Sequence, residues 1–188
     1  MTRQIYFDRV LVSDNEFSLA ELETVHNYMK QTKYHEGVIK GHPEPEKTKF
    51  KLYSHSRVWL LKDLEKDDLL PDQAFLKKLM SLDMVPVLAD HETELCINAH
   101  IVEKGGGMAF HNDSNYSCAA TIYLDSVEGG EFEARISDDD GVDFILRVSP
   151  RATRVVVIKS DTEHRVRKVE DGVRRSIQVF VRYFKEDA

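Results

Sequence analysis

Two histidines and one aspartate in the second half of the chain could together bind a metal ion. His111 and Asp113 stand two positions apart, and His164 follows much later. Alternate residues of a strand share a face, so His111 and Asp113 can reach the same ion, and His164 must arrive from a different strand. Two imidazoles and one carboxylate suit Fe(II) and leave several coordination positions open. The residue types therefore predict an iron centre that can bind small molecules.

A structural zinc site is the alternative use of these ligands. Such a site normally closes with a fourth protein ligand. The nearest candidate is Cys118, which would have to turn inward from its position beyond Asp113. The chain has 8 histidines, so a short histidine–aspartate triplet carries little information by itself. The surrounding pattern must support the assignment.

An arginine and a serine that follow His164 could bind an organic acid beside the metal. Arg174 and Ser176 share one face of an apolar alternating stretch, and Arg175 lies on the other face. An arginine fork binds a carboxylate through two hydrogen bonds, and a neighbouring hydroxyl can add a third. Hydrophobicity alone leaves the inward face undecided, because the face with Ile177 and Val179 is the more apolar. Both arginines could instead lie on an exposed edge strand.

Short apolar runs separated by turn residues fill the second half of the chain. The turn signals are Gly105-Gly106-Gly107, Gly129-Gly130, Asp138 to Gly141, Ser149-Pro150 and Asp171-Gly172. Regularly spaced runs with such punctuation predict an all-β sandwich or barrel. The runs are Cys96 to Val102, Ala119 to Leu124, Phe144 to Val148, Arg154 to Ile158 and Ile177 to Phe184.

The first half of the chain looks like support for this β region. Ile5 to Val12 alternates and predicts a strand, and Tyr53 to Leu61 predicts a strand or extended segment. Ser18 and Glu21 have capping-box spacing at the start of a helix that should end near Lys30. Asp72 to Leu82 predicts a second helix, and residues 35–50 predict an exposed loop. We expect one domain over residues 1–188, with 1–92 supporting a catalytic core at 93–185.

Composition argues against several classes of protein. The net charge of −7 disfavours a nucleic-acid partner, and no apolar run is long enough to cross a bilayer. The N-terminus lacks the apolar core of a signal peptide. We expect a cytoplasmic protein in which Cys96 and Cys118 are reduced, although the two could in principle pair. The histidines outside the triplet and His164, such as His26, are expected at the surface, apart from His100.

The stretch from Cys96 to Phe184 resembles the catalytic core of the Fe(II)/2-oxoglutarate-dependent dioxygenases, especially their prolyl 4-hydroxylase-like branch. The resemblance rests on the glycine-rich turn before "FHND", on "TIYLDSVEGGEF" and on "HRVRKVEDGVRRSIQVF". It covers about half of the chain. It implies a double-stranded β-helix, which is a jelly roll of two facing sheets with supporting N-terminal helices, and iron at its open mouth.

The resemblance also implies roles for individual residues. His111, Asp113 and His164 would be the iron ligands, and Arg174 would bind the distal carboxylate of 2-oxoglutarate with Ser176. Tyr123 matches a tyrosine that reaches the same carboxylate in related proteins, although it could simply be a core aromatic residue. Where the family often has a tyrosine on the strand before the glycine turn, this chain has Asn98, His100 and Val102. Asn98 and His100 are therefore further candidates for contacts with co-substrate or substrate, and a structural role is the alternative for His100.

The implied activity is hydroxylation of an unactivated C–H bond with Fe(II), 2-oxoglutarate and O2, releasing succinate and CO2, with ascorbate as an auxiliary reductant. A peptidyl or protein residue is the first expected substrate, and a free amino acid or other small metabolite is the second. Repair of alkylated nucleic acid ranks third. Two other classes stay open at this point: a non-catalytic cupin-like metal-binding module and a hydrolytic metalloenzyme. The sequence does not indicate an oligomeric state.

Overall fold

The computed structural model describes residues 2–31, 34–36, 50–54, 59–60, 73–83, 85, 92–138 and 140–184. Strands predominate in these residues, and the two helices both precede the long C-terminal β region. In chain order the elements are β1 (Thr2–Tyr6), β2 (Val10–Asp14), α1 (Leu19–Met29), β3 (Tyr34–Glu36), β4 (Phe50–Ser54), β5 (Trp59–Leu60), α2 (Gln73–Met80), β6 (Glu92–Glu103), β7 (Met108–His111), β8 (Cys118–Tyr123), β9 (Glu128–Gly129), β10 (Phe132–Ser137), β11 (Asp143–Val148), β12 (Val155–Lys159), β13 (His164–Val166), β14 (Val169–Asp171) and β15 (Val173–Phe184).

Two antiparallel sheets face each other across an apolar layer. The larger one, here the major sheet, has the order β1-β2-β12-β8-β15-β6-β4-β3, with β5 also pairing with β6. The smaller one, the minor sheet, has the order β11-β10-β13-β7. Side chains from both sheets form a single buried cluster, in which Val12 and Val156 of the major sheet join Phe132 and Ala134 of the minor sheet. This arrangement confirms the predicted mainly-β jelly roll.

The N-terminal strand prediction was wrong in one respect. Ile5 to Val12 is interrupted by a turn, so that β1 and β2 form a hairpin in which Tyr6 pairs with Val10. Phe7 and Asp8 both have positive φ, at 48° and 50°, and the N–H of Arg9 donates to the carbonyl of Tyr6. Phenylalanine rarely adopts this conformation, so residues 5–12 contain no strong turn signal.

Both predicted helices form and cover the outer face of the major sheet. Ser18 caps α1, its hydroxyl accepting from the N–H of Glu21 while the Glu21 carboxylate accepts from the Ser18 N–H, which confirms the capping box. Leu22 of α1 and Phe75 of α2 are fully buried with Ile177 of β15 in one apolar cluster. Packing of this kind supplies most of a helix's stability. None of the described helices has the length and apolar character needed to span a membrane.

Strand β15 lies in the interior of the major sheet, between β6 and β8. The alternative in which its arginines decorate an edge strand is therefore wrong. Ser176 pairs with His100 on one side and with Tyr123 on the other. Paired residues share a face, so Arg174 and Ser176 point between the two sheets and Ile177 points toward the helices. Coverage by helices explains why the more apolar face of β15 is not the face that lines the interior between the sheets.

Four smaller predictions have different outcomes. Cys96 and Cys118 are free thiols, as expected. The expectation of a surface position for His26 is wrong, because this residue of α1 is fully buried. Most of the predicted loop at 35–50 lies outside the described residues, and the division into supporting and catalytic regions stays a prediction.

Candidate metal and co-substrate site

The three predicted metal ligands converge at one end of the minor sheet. His111 ends β7 and pairs directly with His164 at the start of β13. Asp113 follows two residues later, and its N–H donates to the carbonyl of Ser160 at 3.0 Å. One ligand atom from each of the three residues lies within 4.8 Å of the other two. The His164 Nε2 and an Asp113 carboxylate oxygen are 3.5 Å apart.

Backbone carbonyls orient both imidazoles for metal binding. The Nδ1 of His111 is 2.9 Å from the carbonyl oxygen of Ala109, and the Nδ1 of His164 is 2.9 Å from that of Thr162. A carbonyl oxygen only accepts hydrogen bonds, so each Nδ1 must carry the proton. The lone pair of each ring then lies on Nε2, which is the arrangement that a histidine ligand needs.

The electrostatics of the three residues also fit a cation. Burial raises the pKa of the Asp113 carboxyl above its ordinary value, with the nearby His111 opposing this effect. Burial also lowers the pKa of His164 to about 4, assisted by His111. His164 is therefore neutral at pH 7, as a ligand must be, and the Asp113 carboxylate is desolvated without a full countercharge. A divalent metal ion would supply that charge, so the residues present fit Fe(II).

A buried arginine lies between the sheets with part of its guanidinium unpaired. Arg174 is 1 % exposed, and its guanidinium carbon lies 4.8 Å from the centre of the Tyr123 ring. Its Nη1 donates to the Ser176 hydroxyl at 3.4 Å. Among the described residues, the Arg174 Nε and Nη2 and the Tyr123 hydroxyl have no hydrogen-bond partner. Three buried polar groups thus converge without being satisfied.

Unsatisfied buried donors around a fixed positive charge are costly unless a ligand completes them. A carboxylate fits this arrangement because it can accept from the Arg174 fork and from the hydroxyls of Ser176 and Tyr123. The apolar cluster between the sheets connects the two ends of the site, since Phe132 belongs to it together with Tyr123 and stacks on the His164 ring at 5.4 Å. The predicted co-substrate residues therefore lie together, although their role toward 2-oxoglutarate stays a prediction.

Gly130 makes room for the Arg174 side chain, a role that its sequence pattern did not predict. Its φ is +63°, and a Cβ placed there would lie 3.1 Å from both Arg174 Cδ and Val169 Cγ2. The sequence showed Gly129-Gly130 only as a turn signal. The positive φ agrees with that interpretation, but the close approach of Arg174 becomes visible only once β9, β10 and β15 are assembled.

The neighbouring Arg175 points the other way and is fully paired. Its guanidinium binds Asp125 at 2.7 and 2.9 Å and Glu23 of α1 at 2.9 Å. The hydrogen bonds to Asp125 contribute most to the raised pKa of Arg175. Arg175 joins the helix layer to the sheet and has no access to the space between the sheets. Of the two arginines, only Arg174 is placed to bind a co-substrate.

Asn98 and His100 lie on the inner face of β6, across from Gln178 and Ser176. Both are 6 % exposed. The Asn98 amide nitrogen donates to Cys96 Sγ at 3.7 Å. Burial, with the nearby charge of Arg174, lowers the pKa of His100 to about 3, so its imidazole is neutral. Contact of either residue with a co-substrate stays a prediction.

Comparison with known proteins adds an independent observation. The family model of the 2OG-Fe(II) oxygenase superfamily matches residues 97–182, a segment that contains all three clustered ligands and Arg174. No curated protein sequence matches the chain.

Solved structures resemble the fold at low sequence identity. A prolyl-4-hydroxylase from Pseudomonas putida has a TM-score of 0.65 at 13 % identity, with 94 % of this chain and 93 % of that chain covered. A Trichoplax adhaerens prolyl hydroxylase in complex with a hypoxia-inducible-factor peptide has a TM-score of 0.61 at 14 % identity, covering 94 % and 84 %. HygX from Streptomyces hygroscopicus, with nickel and 2-oxoglutarate bound, has a TM-score of 0.60 at 13 % identity, covering 92 % and 82 %. The identities are low enough that these likenesses concern the fold alone.

Proposed function

We propose that this chain, whose residues 97–182 match the family model of the 2OG-Fe(II) oxygenase superfamily, hydroxylates a C–H bond of a peptidyl or protein residue. The proposal rests on Arg174, which is buried between the two sheets with part of its guanidinium unpaired among the described residues. The far end of the same sheets holds the cluster of His111, Asp113 and His164. One site then offers three metal ligands and an anchor for a dicarboxylic acid.

His111, Asp113 and His164 would hold the iron. Bound Fe(II), with 2-oxoglutarate and O2, supplies the oxidising power to insert one oxygen atom into a C–H bond while the other enters succinate and CO2 is released. Three protein ligands leave the remaining coordination positions for the co-substrate and O2. Asp113 as a ligand would occupy the coordination position that a halide needs, which favours hydroxylation over halogenation.

Arg174 fixes the position of the co-substrate through its distal carboxylate. The guanidinium is held against the Tyr123 ring, with its carbon 4.8 Å from the ring centre. Ser176 and Tyr123 would donate hydroxyl hydrogen bonds to the same carboxylate. Anchoring this end leaves the keto acid end free to face the metal ligands, so binding and orientation come from one buried contact.

The walls of the site exclude water from the reaction. Phe132, Val156 and Ala119 are almost fully buried in the cluster between the sheets, and the Phe132 ring covers His164. An apolar lining strengthens the charge interactions of Arg174 and Asp113 and protects reactive species from side reactions. The protein's contribution is thus positioning and a dry pocket.

A peptidyl or protein substrate is proposed because the fold resembles prolyl hydroxylases, one of which was crystallised with a peptide fragment. The departure at Asn98 and His100 leaves the hydroxylated residue type open. A free amino acid or another small metabolite is the alternative substrate. We further propose a cytoplasmic location and stimulation by ascorbate, which keeps the iron ferrous.

Formation of succinate from 2-oxoglutarate tests the proposal directly. The purified chain is incubated with Fe(II), ascorbate and 2-oxoglutarate, with and without O2, and succinate is quantified. We expect succinate only with both iron and oxygen. A non-catalytic binding module would bind metal without consuming 2-oxoglutarate, and a hydrolase would act with zinc and without oxygen. Either result would overturn the proposed activity.

The substrate class is tested by mass spectrometry on two pools, one of peptides and one of free amino acids. Peptidyl hydroxylation predicts that a peptide gains the mass of one oxygen atom and increases succinate formation above the substrate-free rate. A gain confined to the free amino acids would establish the alternative substrate class while leaving the dioxygenase assignment intact.

A further inference from the structure

A groove of about 860 Å³ is lined by residues that include neither the three clustered metal ligands nor Arg174. Its walls come from three places: the β1–β2 turn with Phe7 and Arg9, the β10–β11 hairpin with Arg135 to Asp138 and Asp143 to Ile145, and the connection from Asp161 to Glu163 before β13. We propose that this groove binds an extended, lysine- or arginine-bearing segment of a polypeptide substrate. This inference rests on the proposed function, because it names the substrate class of the same site.

The connection between β12 and β13 joins the groove to the metal-ligand cluster. On one side, the Ser160 carbonyl accepts from the N–H of Asp113 and the Thr162 carbonyl accepts from Nδ1 of His164. On the other side, Asp161, Thr162 and Glu163 line the groove. The Thr162 hydroxyl is buried and has no hydrogen-bond partner among the described residues. A polypeptide lying in the groove would therefore contact residues that directly precede the metal ligand His164 in the chain.

Exposed apolar side chains are concentrated at the rim of this groove. Phe7 is 45 % exposed and stacks edge-on against Phe144 with ring centroids 5.0 Å apart, and Ile145 is 51 % exposed. Val142, in the same hairpin, is 59 % exposed. Exposed apolar residues that cluster beside a cleft are typical of binding surfaces. Apart from Ile136, the remaining groove lining is polar, so the patch suits an amphipathic chain.

Phe7 is held on this rim at a conformational cost. Its φ of 48° lies in the left-handed region, which a bulky side chain rarely adopts because of steric strain. Glycine or asparagine would form the same turn with less strain. The turn therefore keeps an aromatic ring at the groove where stability alone would favour a smaller residue.

The edges of both sheets meet at the groove and favour an extended ligand. Among the described residues, β11 pairs only with β10 and β1 pairs only with β2, so each strand presents an unpaired edge. An extended polypeptide can add its backbone to such an edge as a further strand, while its alternate side chains enter neighbouring pockets. A compact metabolite would make little use of these edges.

The charge of the groove selects a basic segment. Its lining contains the two arginines Arg9 and Arg135 against four carboxylates, those of Asp138, Asp143, Asp161 and Glu163, for a net charge of −2. Arg9 is paired with Asp161 at 2.8 Å and Arg135 with Glu163 at 2.7 Å, so neither arginine is free to bind an anion. The whole chain carries −7 and would attract the same partners by long-range steering.

The test measures fluorescence anisotropy of labelled peptides with the intact 188-residue, iron-loaded chain. The basic probe is Lys-Val-Lys-Thr-Lys-Val-Lys-Thr, and the matched acidic probe has glutamate at every lysine. We expect the basic probe to bind at least about tenfold more tightly, with an affinity that falls as salt is added. Equal affinities, no binding of the basic probe, or tighter binding of an oligonucleotide of uniform deoxythymidine would overturn the proposal.

Two substitutions separate binding from folding. Phe7→Gly removes the aromatic ring and relieves the turn, so we expect an equal or higher melting temperature together with about five- to tenfold weaker binding of the basic probe. A residue with only a structural role would not weaken binding while the fold becomes more stable. Asp143→Asn removes one charge and should weaken binding of the basic probe about threefold.

Matched controls lie at the other end of the molecule. Asn15→Gly relieves a positive φ of 66°, and Asp171→Asn removes an exposed carboxylate paired with Lys104. Both should retain wild-type peptide binding and wild-type succinate formation. If either weakens binding as much as its counterpart in the groove, the inference fails.

The wild-type protein separates the two proposals. Succinate formation from 2-oxoglutarate without binding of the basic probe would refute the groove assignment alone. Absence of oxygen-dependent succinate formation would refute the proposed activity.

Discussion

The two faces of the major sheet use neighbouring arginines for opposite purposes. On the outer face Arg175 binds the carboxylates of Asp125 and Glu23 and ties α1 to β15. On the inner face Arg174 is more deeply buried, contacts Tyr123 and Ser176, and keeps its Nε and Nη2 without partners among the described residues. The two residues are adjacent in the chain, so strand geometry alone sends them to different surroundings.

This contrast distinguishes groups that stabilise the fold from groups reserved for a ligand. A charge whose hydrogen bonds are complete adds to the free energy of unfolding. A charge buried with unused donors subtracts from it until a partner binds. Changes on the outer face should therefore affect stability first, and changes on the inner face should affect function first.

The largest expected effect is the loss of activity in Asp113→Ala, at the metal end of the inner side. We expect oxygen-dependent succinate formation to fall to background, because a metal ligand is missing. The melting temperature of the metal-free protein should change little, since the substitution removes a desolvated carboxylate whose pKa burial has raised. Succinate assays and thermal unfolding of the same samples check both statements. His111→Ala and His164→Ala should also abolish activity, and an active His164→Ala protein would contradict the cluster assignment.

Replacing each arginine in turn tests the comparison itself. Arg174→Ala should weaken the interaction with 2-oxoglutarate by about 2–4 kcal/mol, which raises the required concentration roughly 30- to 1,000-fold. Arg175→Ala should leave that requirement near wild type and lower the free energy of unfolding by about 1–2 kcal/mol, through loss of its bonds to Asp125 and Glu23. Titration of 2-oxoglutarate and urea unfolding measure the two quantities. If the two variants showed each other's expected effects, the assignment of Arg174 to the inner face and Arg175 to the outer face would be wrong.

A smaller effect on the outer side should appear as acid sensitivity from His26. Burial lowers the pKa of this α1 residue to about 4, with Arg175 and Lys30 acting in the same direction against His100 and Glu23. The fold favours the neutral imidazole. Its contribution to the free energy of unfolding is therefore complete above pH 6.5 and is lost as the pH falls from 6.5 toward 4. The loss is on the order of 2–3 kcal/mol. Urea unfolding at pH 7 and pH 4.5 should show a smaller drop for His26→Gln than for the wild type, and equal drops would contradict this role.

The smallest expected effect concerns the cap of α1. Ser18→Ala removes the side-chain bond to the Glu21 N–H, which should lower the free energy of unfolding by about 1 kcal/mol. Ser18→Asp is the matched variant, since aspartate also caps helices and should retain most of the stability. Neither variant should change the requirement for 2-oxoglutarate. A changed requirement for 2-oxoglutarate would contradict the expectation that the helix layer and the inner face of the major sheet act independently.

Local signals in the sequence predicted much of the fold. The Ser18–Glu21 spacing predicted the start of α1, and the turn residues around Gly105, Gly129 and Gly172 separated strands that the structure confirms. The β1–β2 hairpin escaped prediction because a phenylalanine such as Phe7 rarely adopts positive φ, and Asp8 without a neighbouring glycine or proline is a weak turn signal. The surface position expected for His26 was wrong, since an isolated histidine carries no pattern that reveals which helix face becomes buried.

Residue types and spacing alone determined which groups could bind a metal and an organic acid, because those properties are carried by the side chains themselves. They also determined that Arg174 and Arg175 must point in opposite directions, since strands alternate. Only the assembled sheets decided which of the two points inward, because that depends on the side that the helices cover. The meeting of His111, Asp113 and His164, and the groove between β1 and β11, likewise arise from pairings between residues far apart in the chain.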